Sequence, residues 1–118
     1  MFTESIAIVR PTWVGGVYSS EKYLSWDNPT YEFPDVLVAV EPDTASEIYD
    51  GLGSTRLLTG YRLITPPGVL LEQVTSIDRI LVMSLALILE VNGAPAHFRS
   101  VVPHTEIQLQ ILDKEESQ

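Results

Sequence analysis

The chain has 118 residues, of which 45% are hydrophobic and 19% are charged, and its formal net charge is -9. This length fits one domain with a real core, and the composition is that of a globular protein. The lysines and arginines are scattered along the chain, which argues against a surface built to grip DNA or a membrane. The absence of cysteine excludes disulfides, thiolate metal sites and thiol catalysis.

The apolar segments do not predict a signal peptide or a membrane span. Residues 1–5 include an acid where a signal peptide needs a basic flank, and the apolar run after them is short. The longest apolar run, residues 80–91, falls short of the about 20 residues that cross a bilayer. We interpret it as two buried strands, with a buried helix as the alternative, because Asp78-Arg79 precedes it and Asn92-Gly93 follows it. We expect an intracellular, unprocessed protein.

The first half of the chain predicts two strands and two long loops. Residues 3–10 form an apolar strand pattern that Pro11 closes. Glycines, prolines and asparagine interrupt residues 11–34 and predict a loop whose rings either seal one end of the core or face a partner subunit. Residues 35–40 predict a central strand. Residues 41–54 predict a flexible acidic loop, with a short helix over residues 44–49 as the alternative. The rings of the first loop belong to Trp13, Tyr18, Tyr23, Trp26 and Tyr31.

The second half alternates more regularly. Residues 55–65 predict a strand in which Gly60 marks a bulge or tight bend. Residues 69–74 predict a short extended segment, residues 77–91 a hairpin and residues 104–112 a last strand, before a charged tail at 113–118 that we expect to fray. Together these segments predict one all-β domain over residues 1–112, a small antiparallel β-barrel with long loops at about 11–34 and 41–54. Its structural turns are assigned to Pro66, Pro67, Gly68, Asp78, Arg79, Asn92, Gly93 and Pro95.

No pattern in the sequence indicates catalysis. His97 and His104 have no acids at the spacing of a metal triad, and no Gly-x-Ser-x-Gly elbow occurs. Gly51-Leu52-Gly53 is too short for a phosphate-binding loop. The acid pairs Glu41 with Asp43 and Glu115 with Glu116 lie in predicted loop or tail, where the pKa tuning that acid-base catalysis needs is hard to achieve. We predict a protein that is not an enzyme and uses no cofactor or metal.

A series of motifs in fixed order carries a resemblance to one family. The motifs are Val38 to Glu47, Tyr61-Arg62-Leu63-Ile64-Thr65-Pro66-Pro67-Gly68, Ser76 to Ile80, Leu89 to Ala96 and His104 to Leu109. With these motifs over residues 35–112, and weaker similarity back to Arg10, the chain resembles the head-to-tail stopper, or head-closure, proteins of long-tailed bacteriophages. It departs from their pattern at Met83-Ser84-Leu85-Ala86, which replaces the usual Asp-Gly or Gly-Arg hairpin turn, and after Pro95, where the loop is shorter than usual.

The resemblance implies a structural virion protein of the head-tail connector. Such a β-barrel subunit assembles as a ring, usually dodecameric in the family, below the portal and adaptor proteins. The ring closes the DNA exit channel after packaging and attaches the tail terminator or tail tube below. Genomic DNA would pass through it without specific binding, and no membrane partner is implied. The implied location is the virion neck, reached from the host cytoplasm during assembly.

The resemblance also assigns roles to the two predicted loops. The first would contact a neighbouring subunit or the adaptor through Trp13, Tyr18, Tyr23, Trp26 and Tyr31. The second would point into the channel as a gate, where a ring of acids repels phosphate and lets DNA slide. Two alternatives stay open: a tail terminator or other neck protein, and a small ligand-binding β-barrel that stacks its ligand on Trp13, Trp26 and Tyr31. The gate residues would be Glu41, Asp43, Glu47, Asp50, Gly51 and Gly53.

Overall fold

The structure is a computed structural model that describes residues 1–15, 22–49 and 53–112, with the backbone alone considered at 44–49 and 53–59. In this part of the chain the protein is all-β and consists of one antiparallel sheet of eight strands. A single turn of 3-10 helix, Met83–Leu85, lies between the fifth and sixth strands. The strands are β1 (Ile6–Gly15), β2 (Lys22–Glu32), β3 (Ala39–Tyr49), β4 (Gly53–Ile64), β5 (Arg79–Val82), β6 (Leu87–Val91), β7 (Ala96–Phe98) and β8 (His104–Ile111).

The strands follow one another across the sheet in the order β2-β1-β5-β6-β8-β4-β3, and β7 pairs with the first residues of β8. These ladders leave the sheet open between β2 and β3. One isolated antiparallel bridge, with N···O distances of 2.9 and 3.0 Å, joins Glu4, before β1, to Val38, before β3. The prediction of an all-β antiparallel fold is confirmed, and closure into a barrel stays a prediction.

Alternate residues of neighbouring strands line a single core. Ile8 lies opposite Ile80, which in turn lies opposite Leu89, and Leu63 lies opposite Ile107. Directly opposite residues share a face of the sheet, so these side chains form continuous apolar rows. Leu71 and Val74, from the connection between β4 and β5, complete the core. The other buried members of the cluster are Ile6, Val38, Val82, Val91 and Leu109.

Buried threonines fasten the β4–β5 connection to β8. The Thr105 amide donates to the Thr65 hydroxyl at 2.8 Å, and that hydroxyl donates to the Val69 carbonyl at 2.6 Å. The Leu71 amide donates to the Thr105 hydroxyl at 2.9 Å. Every buried side-chain nitrogen or oxygen in the described residues has a hydrogen-bond partner, as expected where an irregular segment packs on a core.

The predicted turns at Pro66-Pro67-Gly68 and Asp78 are confirmed. The Val69 amide donates to the Pro66 carbonyl at 3.1 Å, and Gly68 has the positive φ of 86° that such a turn needs. The Asp78 amide donates to the Thr75 carbonyl at 3.1 Å, while the Thr75 amide donates back to the Asp78 carboxylate at 2.8 Å. At the third predicted turn, Asn92-Gly93, the glycine has a φ of 79° and lies in the bend after β6.

The regular second half of the chain is largely predicted correctly. Strands cover most of 55–65 and 104–112, and residues 77–91 contain the β5–β6 hairpin. The register of β3 and β4 shifts where Asp43 lies opposite Gly60, so the bulge predicted at Gly60 is confirmed. The prediction of an extended segment at 69–74 is wrong, because Val69 alone among these residues makes a β-bridge. β7 was not predicted, and the tail at 113–118 lies outside the described residues.

Both predicted long loops are wrong. Residues 11–34 hold the end of β1 and all of β2. Pro11 was expected to end β1, but the strand continues through it, because the register shifts between Arg10 and Thr12 and a proline without an amide proton is tolerated at such an irregularity. Residues 41–54 are mostly β3 and β4, so neither the loop nor the alternative helix at 44–49 forms. The central strand predicted at 35–40 begins only at Ala39.

Candidate functional site

Two hairpins extend beyond the body of the sheet. β3 and β4 stay paired from Ala39 and Ile64 to Tyr49 and Gly53, whereas β4 pairs with β8 only at residues 61–64. β1 pairs with β5 at residues 6–9 and continues to Gly15 with β2 alone. We call residues 43–49 with 53–60 the β3–β4 ribbon, and residues 10–15 with 22–30 the β1–β2 ribbon.

The two ribbons leave the sheet at opposite ends. Each strand in the series β1-β5-β6-β8-β4 is antiparallel to the one before it, so β1 and β4 run in the same direction. One ribbon uses the C-terminal half of β1 and the other the N-terminal half of β4. The radius of gyration, 17.0 Å, agrees with this projection, because a compact domain of this length has a value of about 13.5 Å.

The β3–β4 ribbon and its base carry the residues predicted to line a channel. At the base, Glu41 lies opposite Arg62, with 3.5 Å between Oε2 and Nη2, and both side chains are about half exposed. Asp43 lies two residues further along β3, at the bulge. Glu47 is opposite Thr55 in the backbone register, and Gly53 begins β4. The structure therefore places the described members of this set along one hairpin, whereas Asp50 and Gly51 lie outside the described residues.

The β1–β2 ribbon carries exposed aromatic rings on both faces. Trp13 pairs with Leu24 and the next residue, Val14, pairs with Tyr23, so Trp13 and Tyr23 lie on opposite faces. Their exposed fractions are 66% and 62%. Exposed Trp and Tyr are typical of protein-protein interfaces. Nearer the body of the sheet, Tyr31 is also exposed and stacks on Phe33. Tyr18 lies outside the described residues.

Trp26 differs from the other rings because Arg79 covers one of its faces. The guanidinium carbon of Arg79 lies 3.8 Å from the ring centroid, within the range of a cation–π contact. Arg79 also lies 4.0 Å from the Glu90 carboxylate. This arrangement places Trp26 against the sheet and leaves less of its ring for the stacking platform that the ligand-binding alternative requires.

A buried acid anchors the base of the β1–β2 ribbon. Arg10 donates to the Glu32 carboxylate at 2.5 Å and to the Gln73 carbonyl at 2.9 Å, and its Nε lies 3.6 Å from the Asp78 carboxylate. Asp78 is 3% exposed. The hydrogen bonds from Arg10 and then Gln73 lower the pKa of Glu32. Asp78, which the sequence assigns to a turn, therefore also pairs with Arg10, a residue too distant in sequence for spacing to reveal.

The apolar segment at residues 83–86 forms the turn of the β5–β6 hairpin. Residues 83–85 make the 3-10 turn. Ala86 closes it with a left-handed φ of 52°, and its backbone amide donates a hydrogen bond to the Met83 carbonyl at 3.2 Å. Met83 and Leu85 are exposed at its surface. The turn therefore joins β5 to β6, with Val82 opposite Leu87, without a glycine.

Comparison with known proteins assigns no family. No protein-family model matches the chain, and no curated protein matches it. In the part of the chain that the structure describes, no helix is long and apolar enough to cross a membrane. Within those same residues, no group of His, Asp and Glu side chains is arranged to hold a metal ion. The stopper resemblance remains a prediction from the sequence motifs.

Proposed function

We propose that this chain is a structural subunit of a phage head-tail connector, which forms a ring below the portal and adaptor, closes the DNA exit channel and offers the tail an attachment surface. The observation that carries the proposal is the pair of β-ribbons at opposite ends of one small sheet. A closed ring needs two different, complementary faces on each subunit, and a connector also needs contacts above and below. Two ribbons at opposite ends suit such contacts.

In this proposal each ribbon has its own task. The β1–β2 ribbon, with Trp13 and Tyr23 exposed on its two faces, contacts the adaptor or a neighbouring subunit. Burial of a Trp or Tyr in a partner's pocket is a common source of binding energy. The β3–β4 ribbon projects from the other end and borders the channel. The protein is a connector without enzymatic activity.

The negative charge supports a channel role for the β3–β4 ribbon. A ring multiplies the chain's net charge of -9, and acids that face a channel repel the phosphates of passing DNA. Glu41 contributes less to this repulsion than an unpaired acid would, because its ion pair with Arg62 offsets its charge. The repulsion then depends more on other acids of the predicted gate, Glu47 and Asp50.

Charge reversal tests this channel role. We expect the double variant Glu47→Lys and Asp50→Lys to slow or block DNA ejection from assembled particles, because lysines in the channel bind phosphate. Higher salt should restore part of the rate by screening these contacts. The matched control is Asp35→Lys, which makes one of the same charge changes at an exposed residue outside both ribbons. Wild-type ejection from the double variant, measured as DNA release over time, would refute the acidic channel.

Binding to DNA-filled, tailless capsids that carry portal and adaptor tests the whole proposal. We expect the protein to co-sediment with these capsids, to add a ring at the portal vertex in electron micrographs, and to stop leakage of DNA. Binding to isolated tail tubes in place of the vertex would support a tail terminator. Binding to neither would contradict a connector role and favour the ligand-binding barrel.

A further inference from the structure

Both ring nitrogens of His104 face hydrogen-bond acceptors. Nδ1 lies 3.0 Å from the carbonyl oxygen of Val102, and Nε2 lies 2.8 Å from a carboxylate oxygen of Glu106. A carbonyl oxygen and an ionised carboxylate can only accept. A neutral imidazole has one N–H, so it satisfies one of these partners and turns a lone pair toward the other. The two hydrogen bonds form together only when the ring is protonated.

The surroundings of the ring favour the charged form. His104 and Glu106 are two residues apart on β8 and so lie on the same face of the sheet. Phe98, directly opposite His104 in the register of β7 and β8, stacks on the imidazole at a centroid distance of 4.8 Å. An aromatic face attracts a cation. The hydrogen bond to Val102 and then the one to Glu106 raise the pKa of His104.

Glu106 is the acid that faces this ring among the described residues. On β7, His97 turns to the other face of β8, where Nδ1 lies 2.9 Å from the Thr105 hydroxyl. On β4, Arg62 lies opposite Gln108 and pairs with Glu41. The remaining charges nearby belong to an ion pair between Arg99, in the loop that precedes His104, and Glu72, in the β4–β5 connection.

The bond from His104 to Val102 holds a strained loop. Residues 99–103 connect β7 to β8, and Val101 has a φ of 65° and is 99% exposed. This left-handed conformation is costly for a β-branched residue and persists only where the surrounding structure enforces it. Two other contacts fix the ends of the loop: the exposed ion pair of Arg99 with Glu72, and a 2.7 Å bond from the Gly68 amide to the Pro103 carbonyl. His104 therefore supplies the contact next to the strained residue.

We propose that His104 is a pH-sensitive latch: its protonated ring holds loop 99–103 in the conformation that presents Val101 and Val102, and loss of the proton releases the loop. Without the second N–H, either the Val102 or the Glu106 bond must break. The strain at Val101 favours release on the Val102 side. The latch does not depend on the connector role, because it acts within one chain.

The sign of the pH effect follows from proton linkage. Because the pKa of His104 is raised in the folded protein, its contribution to stability is fully present below the usual value of about 6.5 for an unfolded chain. That contribution is lost as the pH rises through the raised pKa. We therefore expect an ordered loop in mildly acidic solution and a mobile one in alkaline solution.

An NMR titration of the isotope-labelled protein between about pH 5.5 and pH 8.5 tests the latch, since this range brackets the usual histidine pKa. The His104 ring signals should titrate with a midpoint above 6.5. Backbone order parameters of residues 99–102 should fall from about 0.85 toward about 0.6 with the same midpoint. Loop order that does not change while His104 titrates, or a His104 midpoint at or below 6.5, would overturn the proposal.

Two variants separate the latch from general loosening of the loop. Glu106→Gln keeps an acceptor at Nε2 but removes the negative charge, so the midpoints of His104 and of the loop should both move to lower pH. Glu72→Gln breaks the exposed pair with Arg99, so the loop should lose order at every pH while its midpoint stays unchanged. A Glu106→Gln variant with the wild-type midpoint, or a Glu72→Gln variant that shifts it as far, would contradict the latch.

Discussion

Replacing Gly60 with alanine should lower the free energy of unfolding by about 3 kcal/mol, the upper end of the range for overpacked sites. A Cβ atom at this position would lie 2.1 Å from the carbonyl oxygen of Leu109. That oxygen belongs to the backbone of β8, whose Leu109 side chain is part of the core, so it cannot move away without disturbing the packing. Denaturant-induced unfolding, followed by far-UV circular dichroism and tryptophan fluorescence, measures the loss.

Gly93→Ala is the matched control for Gly60→Ala. Gly93 has a φ of 79° and open space where a Cβ atom would be added. Its substitution by alanine should lower the free energy of unfolding by only about 1 kcal/mol, which is the cost of placing alanine in the left-handed conformation. The Gly93→Asn variant should cost less, because asparagine tolerates this conformation. If the alanine variants of Gly60 and Gly93 lost equal stability, close approach of β8 would not be the reason for glycine at position 60.

The position of this bulge was predictable from the sequence, whereas its cause was not. A lone glycine inside the alternating pattern of residues 55–65 indicates a bulge, and the structure has one there. The backbone oxygen that excludes a side chain belongs to Leu109, far away in the sequence. In the body of the sheet, alternation predicted residues 61–65 and 104–112 well because Leu63, Ile107 and Leu109 face the core, so the alternating pattern coincides with burial.

The same reasoning failed for the β1–β2 ribbon and for β3. The β1–β2 ribbon has exposed rings on both faces, Trp13 of β1 on one and Tyr23 of β2 on the other, so it has no single apolar face to produce alternation. Pro29 and Pro42 also resemble loop residues, yet they lie in β2 and β3, the outer strands of the sheet, where a missing amide can be tolerated. Composition therefore predicted loops where tertiary pairing makes strands.

The contacts of the candidate sites depend even more on tertiary structure. The spacing of His104 and Glu106 shows in the sequence that both side chains share one strand face. The Phe98 ring reaches His104 only because β7 pairs with β8, and the Val102 carbonyl does so through the conformation of the loop between them. Likewise, the acid at position 78 was assigned correctly to a turn, but its partner Arg10 comes from β1, which the sheet order places beside β5.

Replacing Asp78 with alanine should cost about 3 kcal/mol, because it leaves the partly buried Thr75 amide without its acceptor and removes one of the acids beside Arg10, which keeps Glu32 and Gln73 as partners. The carboxylate is 3% exposed, accepts a 2.8 Å bond from the Thr75 amide and lies 3.6 Å from Arg10. Arg10 is itself about one third exposed, so solvent screens its share and most of the loss comes from the turn. Denaturant-induced unfolding measures the change.

Asp78→Asn separates the turn from the ion pair. Asparagine keeps an oxygen for the Thr75 amide and removes the charge, so it should cost about half as much as alanine. The comparison for exposed pairs is Glu72→Ala, which removes the partner of Arg99 and should change stability by about 0.5 kcal/mol or less. If asparagine were as costly as alanine, the pair with Arg10 would dominate. Asp78 would then act mainly by holding the base of the β1–β2 ribbon, and in the proposed connector its loss should weaken binding to the portal vertex together with stability.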